Sequence, residues 1–186
     1  MKNKVEKKWK YKYKNLFFLC ISVIIAGFIL QTNFMKNFIS GLGEFSYLGA
    51  FASGIFYTYG LTSPIAIAVL AVMGETMNFL LVSIIAAFGS VVGDYFIFKF
   101  VKDHLLKEIE NLFGESGINF RKIRLSKKFR AIVPIFAGFI IASPLPDEIG
   151  VTLLGVSEYH TKKFFLLSYI LNFLGILLIV CLGIVF

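Results

Sequence analysis

Residues 45–98 read FSYLGAFASGIFYTYGLTSPIAIAVLAVMGETMNFLLVSIIAAFGSVVGDYFIF, and over that length only Glu75 and Asp94 are charged. The first part, Phe45–Gly74, runs 30 residues without a charge. That exceeds the roughly 20 residues that one transmembrane helix needs. Ser63-Pro64 interrupts it, and Gly49, Gly54, Gly60 and Gly74 loosen it. A proline inside such a run removes a backbone donor and disfavours helix in the residue before it. The second part, Thr76–Phe98, is long enough to cross a hydrocarbon core as one helix. The stretch therefore predicts a broken hairpin followed by a transmembrane helix.

The rest of the chain agrees with a lipid environment. Of 186 residues, 58% are hydrophobic, 22 are Phe and only 16% are charged, and mean hydropathy is +0.80. Soluble domains run nearer 45–50% apolar and about 25% charged. A chain this short cannot enclose so much apolar surface in a water-soluble core, and the composition is equally unlike disorder. Asn15–Met35 is an uncharged run of 21 residues that follows Lys12, Lys14 and the amphipathic anchors Trp9, Tyr11 and Tyr13. Its exit, Gln31-Thr32-Asn33-Phe34, is not a small-residue cleavage site, so the run reads as a retained signal anchor. A further run, Ala131–Pro146, ends at Asp147-Glu148 and resumes to Ser157, and Phe164–Phe186 adds 23 uncharged residues.

Charge sets the topology. The net charge of +8 is concentrated: seven of the 19 Lys and Arg lie in residues 1–14 and nine in residues 99–130. Basic segments stay on the cytoplasmic side, where they are also attracted to anionic headgroups. A nucleic-acid binder would not set such charge beside long uncharged runs. Residues 99–130 are cytoplasmic only if residues 45–75 enter and leave on the outer side as a re-entrant hairpin bent at Pro64. Lys162 and Lys163 are cytoplasmic only if residues 131–157 form a second hairpin entering from the opposite side. The expected organisation is a basic cytoplasmic N-terminus (1–14), a transmembrane helix (15–35), a first hairpin plus helix (45–98), a cytoplasmic amphipathic and basic segment (99–130) and a second hairpin plus helix (131–186). The fold class is thus an all-α polytopic membrane protein, an inverted repeat of re-entrant hairpin plus transmembrane helix preceded by an N-terminal signal-anchor helix. It is expected in the plasma membrane with its N-terminus inside.

Two offsets support the repeat. Phe56, Ser63 and Pro64 match Phe136, Ser143 and Pro144 at an offset of 80, and Phe79, Leu81, Ser83, Ile85 and Phe88 match Phe164, Leu166, Ser168, Ile170 and Phe173 at an offset of 85. Inverted repeats with broken helices meeting near the midplane are a transporter architecture. Between the halves, Leu105, Ile109, Leu112 and Phe113 share one helical face, which predicts an interfacial amphipathic helix.

The candidate site residues follow from charge at membrane depth. Ser143-Pro144-Leu145-Pro146-Asp147-Glu148 places two carboxylates far from any basic residue along the chain, and intramembrane acids default to function. Proline followed by acids is also an ordinary helix start, so a capping role stands beside that reading. Two adjacent carboxylates in a partly dry site do not both ionise cheaply, so one is expected to exchange a proton. Glu148, one residue deeper and longer, is the expected exchanging group, with Asp147 beside it. Asp94, five residues before Lys99, and Glu75, at the close of the first hairpin, are further coupling or gating candidates, or pair with basic neighbours. Pro64, Pro144 and Pro146 are the expected hairpin breaks. Arg130, with Lys127 and Lys128, lies where the fourth run enters the membrane. A guanidinium there can grip a lipid phosphate bidentately or serve as a snorkelling flank. His104 and His160 read as solvated.

Enzyme signatures are missing: Gly93-Asp94 lacks the earlier glycine of a GxGD motif, and there is no HExxH, GxSxG or Walker loop. The chain reads as a non-enzyme with no cofactor and no metal. Cys20 and Cys181 lie deep in apolar runs without metal or redox spacing.

The stretch Gly89-Ser-Val-Val-Gly-Asp-Tyr-Phe-Ile-Phe-Lys99 resembles the G-x-x-x-G-D-x-x-x-Y/F helix of the DedA/VTT family, also called SNARE-associated Golgi proteins. Phe129-Arg130-Ala-Ile-Val-Pro134 followed by Ala137-Gly138 is similar to that family's second hairpin. The resemblance spans about residues 45–180 and implies two opposed re-entrant hairpins with important acidic and arginine residues. It also implies movement of phospholipids or undecaprenyl phosphate between leaflets. The sequence departs from the family pattern in placing its acidic Pro-rich motif in the second hairpin and in lacking a second arginine after the hairpin proline. The expected function is a transporter of a phospholipid or lipid-linked phosphate, proton-coupled, with Arg130, Lys127 and Lys128 receiving the headgroup. The expected partners are anionic or phosphate-bearing membrane lipids and no nucleic acid, and a homodimer is compatible with this reading. The alternatives are a small-solute or ion transporter on the same scaffold and a non-transporting envelope assembly protein. A flippase predicts a lateral groove beside Arg130.

Overall fold

The computed structural model describes residues 14–106, 108, 126–141, 147–157 and 159–185, and these are helical almost throughout, with no strand among them. The first helix, α1 (Lys14–Gln31), does not continue to Met35. Thr32 is extended (φ −110°, ψ 139°) and turns its hydroxyl back to the Phe28 carbonyl at 2.9 Å. The apolar run of residues 15–35 therefore breaks, and a separate amphipathic helix, α2 (Asn33–Leu42), follows. Gly43 ends α2 in the left-handed region at φ +52°, where a residue without Cβ is not strained. After a single turn at Gly43–Phe45, α3 (Ser46–Tyr57) begins, anchored to α2 by the Ser46 hydroxyl donating to the Ile39 carbonyl at 2.7 Å.

The chain turns at residues 58–62 and re-enters helix as α4 (Ser63–Thr76). Pro64 stands in the first turn of α4, where its missing N–H has no intrahelical partner to lose. The break is thus made by residues 58–62, ahead of Ser63-Pro64, and Thr62 closes it by donating to the Phe56 carbonyl at 2.7 Å. Asn78 then caps α5 (Phe79–Phe100), its side chain accepting from the N–H groups of Leu80 and Leu81 at 3.0 and 3.1 Å. One π-turn, Val101–Leu105, extends α5. The expected interfacial helix around Ile109, Leu112 and Phe113 falls outside the described residues, as do residues 1–13.

The second half repeats the order of two short helices and one long one. These are α6 (Lys127–Ile141, with Pro134 inside it), α7 (Asp147–Val156) and α8 (Thr161–Val185). Among the described residues, three helices are long and apolar enough to cross a membrane: Lys14–Gln31, Phe79–Leu105 and Thr161–Val185. Helices α3, α4, α6 and α7 have 12, 14, 15 and 10 residues, about 15–22 Å at 1.5 Å per residue, short of a 30 Å core.

Helix α5 is the hub, with α3, α7 and α8 packed around it, while α4 lies between α8 and α1. One core cluster joins Ala50, Leu70, Val82, Ala86, Ile176 and Val180, and a second joins Phe98, Ala137, Ile141, Val151, Leu154 and Phe164. Outward-facing positions remain apolar: Phe28, Phe96, Ile135, Phe139 and Leu178 are all more than 60% exposed. A surface of this kind associates in water but is ordinary in lipid.

The glycines of the G-x-x-x-G-D segment have a steric role. A Cβ on Gly89 would overlap the Phe51 carbonyl, and one on Gly93 would lie 3.0 Å from the Ile55 carbonyl oxygen and 2.5 Å from Thr58 Oγ1. On the facing helix, a Cβ at Gly54 would overlap Ala86. Small residues let the backbones of α3 and α5 touch, as in tight transmembrane pairs, and this contact sets the 58–62 turn beside Asp94.

Candidate functional site

Asp94 is fully buried in α5. Its Oδ2 accepts from the Ser168 hydroxyl and from Asn172 Nδ2, both at 2.7 Å, and Asn172 Nδ2 also reaches Ser168 Oγ at 3.3 Å. Ser168 and Asn172 lie one turn apart on α8, so one face of that helix presents two donors to the carboxylate. Of the two readings of Asp94, the pairing with a basic neighbour is not what is seen: its partners are neutral side chains of the other half, because α5 turns this residue toward α8. Among the described residues no cation pairs with it.

Asp147, the first residue of α7, is 2% exposed. It lies within electrostatic reach of Asp94 and Glu148. Glu148 is only partly buried, and its Oε1 accepts from the Gly60 N–H at 3.1 Å. That bond joins the start of α7 to the 58–62 turn of the first half. Glu148, expected to lie deeper, is the less buried of the two: Asp147 faces the protein interior, whereas Glu148 points to the opposing turn. A rotation of about 100° per residue on a helix decides this, not chain position.

Tyr57, buried at the end of α3, is close enough to Asp147 and Asp94 to feel both charges, and Tyr59 feels Asp94 and Glu148. The cluster therefore draws on the 58–62 turn and on α3, α5, α7 and α8. Among the described residues, three of its buried oxygens have no hydrogen-bond partner: Asp94 Oδ1, Asp147 Oδ2 and Asn172 Oδ1.

The other candidates are not gathered here. Glu75 forms an ion pair with Lys36 of α2, which ties the amphipathic helix to the end of α4 and leaves Glu75 apart from the acidic cluster. Lys128 and Arg130 are exposed on α6, and the Lys127 side chain, Pro144 and Pro146 lie outside the described residues. An open, almost wholly apolar groove of about 430 Å³ runs between α3 and α4, lined by Gly49, Ala52, Ser53, Phe56, Thr62, Ile65, Ala66 and Val69. Its end at Phe56 and Thr62 adjoins the turn that carries Gly60.

Sequence reasoning missed Ser168, Asn172, Tyr57 and Gly60. Asn172 had a signal: it is the one amide in the uncharged run Phe164–Phe186, and a polar side chain there needs a partner inside the protein. Compared with family models, curated proteins and solved structures, the chain matches none.

Proposed function

We propose that the chain is an ion-coupled membrane transporter that moves a phospholipid or lipid-linked phosphate between leaflets. In this reading Asp94 and Asp147 take up and release the coupling ion, a proton in the simplest case. The observation that carries it is the pair of buried carboxylates, one from each half, without a cationic partner among the described residues. Ionisable groups at membrane depth are costly and mark ion pathways.

The two short-short-long helix sets support an inverted repeat of re-entrant hairpins. Irregular backbone at membrane depth is tolerated where protein buries it, and the Gly60–Glu148 bond joins the 58–62 turn to the start of α7. The resemblance to the DedA/VTT family supports lipid phosphate as the cargo. The exposed Arg130 and Lys128 on α6 could receive the headgroup, and the apolar groove between α3 and α4 could shelter an acyl chain. Basic and acidic groups are then separated, so an anionic cargo need not enter the acidic cluster.

The test is reconstitution into vesicles containing labelled anionic lipids, with leaflet exchange followed with and without a pH gradient. Accelerated exchange that responds to the gradient is expected, with Arg130→Lys weakening it more than Lys127→Ala, since a planar fork holds phosphate more specifically than a point charge. Exchange no faster than in empty vesicles refutes the reading.

A further inference from the structure

We propose that Asp94, Asp147 and Asn172 bind a dehydrated hard monovalent cation, sodium, which competes with protons for the two carboxylates. This deepens the transport reading by naming an ion that the site holds, and it rests on that reading only for the use made of the ion.

The argument starts from the three orphaned oxygens, Asp94 Oδ1, Asp147 Oδ2 and Asn172 Oδ1, which come from three different helices. All three are acceptors, and burying an acceptor without a donor is costly. Titration alone does not relieve this. A single proton shared between two of these oxygens leaves the third acceptor without a donor. Asn172 Oδ1 does not itself titrate, so it is relieved only by a donor or a cation brought to it.

Turning the amide over is no remedy either. Asn172 Nδ2 already serves Asp94 Oδ2 at 2.7 Å and Ser168 Oγ at 3.3 Å, and reversal would set an amide oxygen against a carboxylate. An oxygen that receives two donors at 2.7 Å is well placed to carry charge. A charge in this setting requires a counter-charge, and none is supplied among the described residues. A cation answers both needs at once, charge for Asp94 and a partner for the amide oxygen.

The chemistry of the donors selects the kind of cation. Carboxylate and amide oxygens suit hard ions. Divalent ions are disfavoured, since calcium takes six to eight oxygens, many more than the three offered here. Transporters with helix breaks near the midplane coordinate sodium or protons in such places. The titratable groups facing the site are Tyr57 from α3, Tyr59 from the turn and Glu148 from α7, and α8 contributes only neutral Ser168 and Asn172. Protonation of the carboxylates therefore opposes sodium, and sodium binding weakens as pH falls.

The full-length protein, purified in detergent, is melted in sodium chloride, in choline chloride of equal ionic strength and in calcium chloride, at mildly alkaline and mildly acidic pH. Sodium is expected to raise Tm by several degrees over choline at alkaline pH, because a ligand that binds only the folded state stabilises it, and by much less at acidic pH. Asp147→Asn and Asn172→Leu are each expected to remove the sodium shift. No sodium shift, a shift indifferent to pH, a shift caused by calcium but not sodium, or a shift intact in both variants overturns the proposal. The wild-type pH comparison decides even if neither variant folds. pH-driven lipid exchange without a sodium shift would overturn this inference and leave the transport reading standing. A pH-sensitive sodium shift without lipid exchange would do the reverse.

Discussion

Asn172 and Asp94 offer the sharpest single test of how the halves are joined. Replacing Asn172 by Leu keeps the side-chain size and removes the Nδ2 donor that meets Asp94 Oδ2 at 2.7 Å. Ser168 then remains the only donor to that oxygen. A hydrogen bond to a charged group in a protein interior is worth about 1.5–3 kcal/mol. Interhelical polar contacts measured inside membranes are weaker, averaging about 0.6 kcal/mol with a maximum near 1.7. The short distance and full burial place this pair toward the upper end of the membrane range, so a coupling of about 1–2 kcal/mol is expected. The assay is a double-mutant cycle, with Asn172→Leu, Asp94→Asn and the double variant unfolded reversibly from mixed micelles. The cycle isolates the pair from the general cost of each substitution. A coupling indistinguishable from zero, with all three variants folded, would refute the claim that these two side chains bind the halves together.

Gly89→Leu forces a side chain into the Phe51 carbonyl and should destabilise by about 3 kcal/mol or more, beyond ordinary overpacking, whereas Gly27→Ala, with open space around it, should stabilise α1 by about 0.5–1 kcal/mol; thermal melts of both variants check this. Asp147→Asn should lower transport by about tenfold or more, as expected for loss of an interaction with a charged group, and Glu148→Gln should lower it less, because the amide still accepts from Gly60 N–H; vesicle exchange rates with the two variants in reverse order would contradict the assignment of the interior position to Asp147. Lys36→Ala should cost no more than about 1 kcal/mol, the usual ceiling for a partly exposed ion pair, and leave transport intact, so lost transport at normal expression would give the α2–α4 tie a direct role.

Much of the helical plan was legible because lipid imposes a strict rule on composition. Uncharged runs of the right length located α5 and α8, and the Ser63-Pro64 and Pro144–Glu148 interruptions pointed to where short helices begin. The break at Thr32 was not legible, since Gln31-Thr32-Asn33 adds little polarity and the local hydroxyl-to-carbonyl bond decides it. The site was half legible. Acidic residues in an apolar sequence announce themselves, so Asp94 and Asp147 stood out. The relative burial of Asp147 and Glu148, and the exclusion of Glu75, depend on helix rotation and on a partner at Lys36, neither of which spacing along the chain reveals. Ser168 and Asn172 escaped because their meaning lies in a contact made across more than 70 residues of sequence.

The dependence of Asp94 on α8 has a consequence for biogenesis. Among the described residues, every side-chain donor to its carboxylate comes from a helix synthesised long after α5, and the 58–62 turn likewise waits for Glu148. While the first half is alone in the bilayer, an unpaired acid and an open backbone turn face hydrocarbon or seek water. The newly made first half is therefore a client: it must be held by an insertion factor, or kept near the aqueous boundary, until the second half arrives. Chains stalled before Ser168 should be retained by quality control, and chains stalled beyond Asn172 should be released from it.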